Sequence, residues 1–182
     1  MLTDVQKEAL LALARATAES AAAGEPPGGP GPAPEGLAAP GAAFVTVRVS
    51  GELRGCIGTF EARDALWDTV HEMATAAATR DPRFAPLGTR DLPGLSVDVS
   101  VLAPARRVRD QAEIEVGKHG LEIRRGRRRG LLLPQVATDH ALDREMFLAE
   151  TCRKAGLPAG AWREADTEIW AFEADVFGDE DA

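Results

Sequence analysis

Ala43-Phe44-Val45-Thr46-Val47-Arg48-Val49-Ser50-Gly51-Glu52-Leu53-Arg54-Gly55-Cys56-Ile57-Gly58 is the stretch that decides the fold. Phe44, Thr46, Arg48 and Ser50 alternate with Val45, Val47 and Val49, the period of two of a half-buried strand, and Ser50-Gly51-Glu52 supplies a tight turn. Residues 53–60 then read as the returning strand of a hairpin. Strict alternation sends Leu53, Gly55 and Ile57 to one face and Arg54, Cys56 and Gly58 to the other, so a guanidinium and a thiol share a surface. A fixed cation close to a thiol favours the thiolate, which is the nucleophile and the soft metal ligand. The two glycines weaken the strand, a cost accepted where a backbone or ligand approaches closely. The plainer reading makes Cys56 a small core residue and Gly55 and Gly58 a bulge or a packing contact.

Upstream, Thr3-Asp4-Val5-Gln6 has the capping-box pattern, and Val5, Ala9, Leu10 and Leu13 follow at helical spacing, giving a helix to about residue 23. Residues 24–42 are dense in Pro and Gly and read as an exposed loop within one domain that spans residues 1–182. Downstream, Leu66, Val70, Met73 and Ala77 share one helical stripe, which Asp81-Pro82 terminates. Alternation over residues 95–101 gives a strand, and residues 114–116 a weaker one. Residues 121–123 and 131–133 form a second hairpin around an arginine-rich turn, followed by a break at Pro134. A helix over residues 143–155 stops at Gly156, and residues 167–176 close the chain as a strand. Hairpins mixed with non-alternating helices indicate an α+β protein with antiparallel sheets.

Composition narrows the chemistry. The formal charge of −8, from 29 acidic and 21 basic residues, repels a phosphate backbone and makes nucleic acid a poor partner. Cys56 and Cys152 are far apart and in no paired-ligand spacing, as expected of free thiols in a reducing compartment. No cationic start precedes an apolar run, and no stretch approaches the ~20 apolar residues of a membrane helix, so a cytoplasmic location is expected. Tyr is absent and His occurs only at His71, His119 and His140, which leaves few acid/base groups. These five Cys and His residues show no CxxC, HxxxH or HExxH spacing, so no metal site is expected.

Other residues carry weaker signals. His119, between Gly117 and Gly120, can serve as base or ligand, or simply bond backbone as a turn residue. Arg83 offers a fork for anions, against the alternative of a helix-stop turn with Phe84 anchored in the core. Gln135 can orient a substrate or satisfy backbone groups. Arg124, Arg125, Arg127, Arg128 and Arg129 form a compact cationic turn, an anion site or a solvated hairpin tip.

Leu53-Arg54-Gly55-Cys56-Ile57-Gly58 resembles the signature of the AMMECR-type domain family, also called AmmeMemoRadiSam system protein A. Asp81-Pro82-Arg83-Phe84, the strand over residues 97–102, Gly117-Lys118-His119-Gly120, residues 130–136, and Lys154-Ala155-Gly156-Leu157 followed by Trp162 resemble further family segments in the same order. The resemblance implies an α+β architecture in two unequal lobes, with both termini in the larger lobe and the signature strand near a cleft between them. It implies a site drawn from Arg54, Gly55, Cys56, Gly58, Arg83, His119 and Gln135, no established reaction or cofactor, and company with a Memo-like protein and a radical S-adenosylmethionine protein. Two departures stand out: the Pro/Gly loop looks expanded, and residues 138–142 lack the aromatic that relatives tend to carry there.

Three functions compete. In the first, an enzyme uses Cys56 as thiolate, Arg54 as its stabiliser or anion holder, and His119 as proton carrier. In the second, a non-catalytic module docks a partner or product on the glycine-bearing strand. In the third, Arg54, Arg83 and the arginine turn bind an anion with steep salt dependence.

Overall fold

A computed structural model describes residues 2–25 and 28–179. The helices are α1 (Asp4–Ala22), α2 (Leu66–Thr79), α3 (Pro134–Asp139) and α4 (Arg144–Lys154). The strands are β1 (Ala42–Val49), β2 (Glu52–Thr59), β3 (Leu95–Leu102), β4 (Arg106–Val108), β5 (His119–Arg125), β6 (Arg128–Leu132) and β7 (Glu168–Gly178). The class is α+β with antiparallel pairings. The chain divides into two compact units, Met1–Leu102 with Asp175–Ala182, and Ala103–Ala174.

In the first unit the strand order is β2-β1-β3-β7, which leaves β2 as the edge strand. The β1–β2 turn has φ of 52° at Ser50 and 82° at Gly51, the left-handed pair that a two-residue type I′ hairpin requires. Ala43, Val45 and Val47 on β1 and Val97 and Val99 on β3 are buried in one core with Leu10, Ala14 and Ala18 of α1 and Val70, Ala74 and Ala77 of α2. Thr3 and Gln6 close the expected reciprocal cap on α1. The Pro/Gly loop is more than an exposed connector. Leu37 is fully buried, and the carbonyls of Leu37 and Ala39 accept the N–H groups of Trp67 and Leu66, covering donors that the start of α2 would otherwise leave open.

In the second unit β4 and β5 flank β7, and β6 pairs with β5. Its core joins Ile114, Leu121, Ile123 and Ala171 to Phe147, Leu148 and Cys152 of α4. Gly156, at φ 70°, ends α4 with paired bonds from Gly156 N to Arg153 O and Leu157 N to Cys152 O. Two expectations fail here. Residues 114–116 are not a strand: Asp110 and Glu113 cap a short 3-10 turn, and Ile114, fully buried, pins the end of that turn to the core. Pro134 begins α3 rather than merely ending a strand, because its missing N–H costs nothing at a helix's first position.

Candidate functional site

The signature strand does not alternate strictly. Val47 pairs with Gly55 but Arg48 pairs with Leu53, so Arg54 is an extra residue, a bulge. Opposed residues share a face. Leu53 therefore joins Arg48 on the outer face, while Gly55 and Ile57 sit opposite Val47 and Val45 on the core face, which corrects the expected grouping of Leu53 with Gly55 and Ile57. The bulge also places Cys56 opposite Thr46 on the outer face; an unbulged count from the turn would set it opposite Val45, toward the core.

Cys56 is half-buried, and Thr46 Oγ1 lies 3.2 Å from its Sγ as donor. Its backbone N–H and C=O both turn away from β1. The N–H donates to Asp81 Oδ2 at 2.9 Å, and the C=O accepts from Arg83 Nη2 at 3.3 Å. Arg83 closes on Asp81 with Nε to Oδ1 at 3.0 Å and Nη2 to Oδ2 at 2.7 Å, and its own backbone N–H reaches Oδ1 at 3.1 Å. Asp81 is 5% exposed. The Arg83 hydrogen bonds hold its carboxyl well below the ordinary range, against the effect of burial, with the Cys56 N–H adding to them. Arg54 turns to another acid: its Nη1 meets Asp91 Oδ1 at 2.9 Å. Gly88 N–H, bonded to Asp91 Oδ2 at 2.8 Å, is the main cause of a lowered Asp91 pKa, with Arg54 contributing after it. The guanidinium that touches Cys56 is therefore that of Arg83. Arg83 is neither a free anion clamp nor beside a core anchor: it stacks 5.3 Å from the half-buried Phe84, and Leu87 is the residue that enters the core.

Both signature glycines are filled by neighbours. A β-carbon at Gly55 would overlap the carbonyl oxygen of Ala77 in α2, and one at Gly58 would overlap the ring of Phe44.

His119 and Gln135 belong to the second unit. His119 opens β5, 3% exposed, and its Nδ1 accepts the Glu115 N–H at 3.0 Å, which leaves Nε2 as the ring's other polar atom, 3.9 Å from Glu173 Oε1. Gln135 is the second residue of α3, and its side-chain oxygen is buried without a hydrogen-bond partner among the described residues. The arginine turn is largely neutralised. Arg124 and Arg129 both close on Glu122, Arg125 meets Asp166 and Glu164, and Arg128 donates to the Gly156 carbonyl. Burial raises the Glu122 pKa, but the hydrogen bonds from Arg124 and Arg129 outweigh it and hold the group below its ordinary value. Three of the five arginines are thus paired with acids, which lessens the pull on an anion of the turn that the third function combines with Arg54 and Arg83.

Sequence reasoning missed Asp81, Thr46 and Asp91. Asp81 had a signal, an acid two residues before an arginine at a helix stop; Thr46 had none, because its pairing with Cys56 depends on the bulge. Among the described residues, no three His, Cys, Asp or Glu converge as a metal would need, and no helix is long and apolar enough to cross a membrane.

A model of the AMMECR1 family matches residues 11–177. A protein of Methanosarcina barkeri, Mbar_A1807, is 40% identical over 97% of this chain and 92% of its own length. One from Methanothermobacter thermautotrophicus is 46% identical over 74% of this chain and 73% of its own. The crystal structure of uncharacterized protein PH0010 from Pyrococcus horikoshii superposes with a TM-score of 0.91 at 36% identity, covering 98% of this chain and 94% of that one.

Proposed function

This chain belongs to the AMMECR1 family, and from that premise we propose that its working group is Cys56, a thiol held at a sheet edge for thiolate chemistry on a small or peptide-linked substrate. One observation carries the reading: the backbone N–H and C=O of Cys56 are both gripped, by Asp81 and Arg83, while Thr46 donates to Sγ. A side chain whose backbone is fixed in this way has little freedom left to lose on approach to a reacting atom, and the Thr46 hydroxyl sets the direction in which the sulfur faces. In this reading Cys56 attacks, Thr46 and Arg83 orient it, and Asp81 is a positioning residue. Arg54, bonded to Asp91, fixes the loop after α2. The Memo-like protein and the radical S-adenosylmethionine protein are the proposed partners, as supplier or consumer of the substrate.

A second reading keeps the same surface without chemistry. β2 is an edge strand, and such strands accept extended segments of other chains. Iodoacetamide alkylation at pH 7, followed by intact mass in a Cys152→Ala background, separates the two. Thr46→Val and Arg83→Ala each change the Cys56 rate threefold or more, whereas Arg54→Ala changes it less. A rate equal to that of a free cysteine in every variant overturns the thiolate reading. Retention of the two partner proteins by Cys56→Ser would then support docking.

A further inference from the structure

Between α1, α2 and the Pro/Gly loop lies a cavity of about 420 Å³ that belongs wholly to the first unit. Its lining follows one stripe of each helix. On α1, Leu13, Ala16, Thr17, Ser20 and Ala21 recur at spacings of three and four; on α2, His71, Thr75 and Thr79 recur every four residues. Elsewhere the seam between these helices is apolar and closed by Leu10, Ala14, Ala18, Val70 and Ala74. Here it opens, because Ala16, Ala21 and the loop glycines Gly28 and Gly29 leave space, and α2 presents an imidazole and two hydroxyls to it.

The polar groups are ordered from behind. Thr75 Oγ1 donates to the His71 carbonyl at 3.0 Å and Thr79 Oγ1 to the Thr75 carbonyl at 2.7 Å, so both hydroxyl protons are committed and the oxygens remain as acceptors. Thr17 Oγ1 lies 3.0 Å from His71 Nδ1, its one hydrogen bond among the described residues. With the hydroxyl as donor in that pair, Nε2 carries the ring hydrogen and is left to donate. At the rim, Ser20 Oγ holds Glu25 Oε2 at 2.7 Å, a negative charge that disfavours an anionic occupant.

We propose that this cavity is a binding site for an uncharged, largely apolar small molecule of about two fused rings that carries one acceptor oxygen for His71 Nε2–H. The volume lies within the range of small-molecule sites, and the combination of apolar wall and a few convergent polar groups is what such sites use for affinity and orientation. The site is separate from Cys56, which lies on the outer face of the sheet, and stands or falls independently of the thiolate reading.

Two-dimensional 1H–15N spectra of the full chain, titrated with 1-tetralone, test it, with tetralin and 2-naphthoate as the arms lacking the oxygen and carrying a charge. The expected result is saturable shifts confined to α1 residues 13–21 and α2 residues 71–79, tightest for 1-tetralone and weakest for 2-naphthoate. His71→Phe keeps a ring but removes the donor; it weakens 1-tetralone roughly two- to tenfold, the worth of one net hydrogen bond, and leaves tetralin unchanged. Thr75→Trp sets an indole beside His71 and weakens both at least tenfold, while unshifted second-unit amides show that the variant is folded. Absence of saturable shifts up to the solubility limit, shifts scattered over both units, or binding unchanged by Thr75→Trp overturns the proposal.

Discussion

Replacing Asp81 by Ala removes the acceptor for three kinds of donor at once. The Cys56 N–H and the Arg83 N–H lose their partner inside a site where the carboxylate is 5% exposed, and each group left unpaired costs about 1–3 kcal/mol less whatever water recovers. The charge pair with Arg83 adds little, because that guanidinium is 55% exposed and screened. The expected penalty is therefore about 2–4 kcal/mol for Asp81→Ala and about half that for Asp81→Asn, which keeps one acceptor oxygen. Urea unfolding measures it, with Trp162→Phe and Trp170→Phe in the background so that Trp67, in the first unit's core, reports alone. Acid gives an independent check. The folded-state pKa of Asp81 is depressed, so its contribution is fully present above the unfolded value of about 3.9 and is lost as pH falls toward the folded value. Below pH 4 the gap between wild type and Asp81→Asn narrows by about 1.4 kcal/mol per pH unit. A penalty under about 0.5 kcal/mol at pH 7, or a gap unchanged between pH 7 and pH 3, refutes the assignment of Asp81 as the clamp on β2.

Deleting Arg54 removes the bulge and leaves Gly55 opposite Val47 and Cys56 opposite Thr46, so Cys56 stays on the outer face and its alkylation changes less than threefold; a tenfold loss of reactivity would count against the register argument. Glu122→Gln leaves Arg124 and Arg129 facing a neutral amide at a site 2% exposed and costs about 2–4 kcal/mol, read from second-unit Trp fluorescence. Since Glu122 is also depressed when folded, its stabilisation holds above its ordinary value of about 4.3 and fades below it, and the Glu122→Gln variant loses that acid sensitivity. Burial pushes the Cys152 thiol up and closes it to reagent, so native protein takes one equivalent of iodoacetamide, at Cys56, and the second only in denaturant.

The hairpin, both long helices of the first unit and the strand over residues 95–102 are legible in the sequence because period, cap and turn agree there. Ser50-Gly51 even announces a two-residue turn. The face of Cys56 is legible for the wrong reason. Alternation within residues 53–58 puts it on the face away from Gly55, as observed, yet only the bulge at Arg54 turns that alternation outward relative to β1, and nothing in Leu-Arg-Gly marks which residue is extra. β4 and α3 were not legible: three residues carry no period, and Pro134 signals a stop and a start equally. For the site, residue types were readable and partners were not. Arg54 and Arg83 look alike on paper, and their acids, Asp91 and Asp81, become distinguishable only once the loop after α2 is folded.

At Gly55 the strand and α2 meet with no side chain between them. Contacts made through side chains are springs, since a rotamer can yield before the main chain moves. Here the carbonyl of Ala77 bears on the neighbour of Cys56, and four residues later the same chain holds the Cys56 N–H through Asp81. Helix and edge strand thus touch main chain to main chain, and any side chain added at Gly55 would have to move one of them.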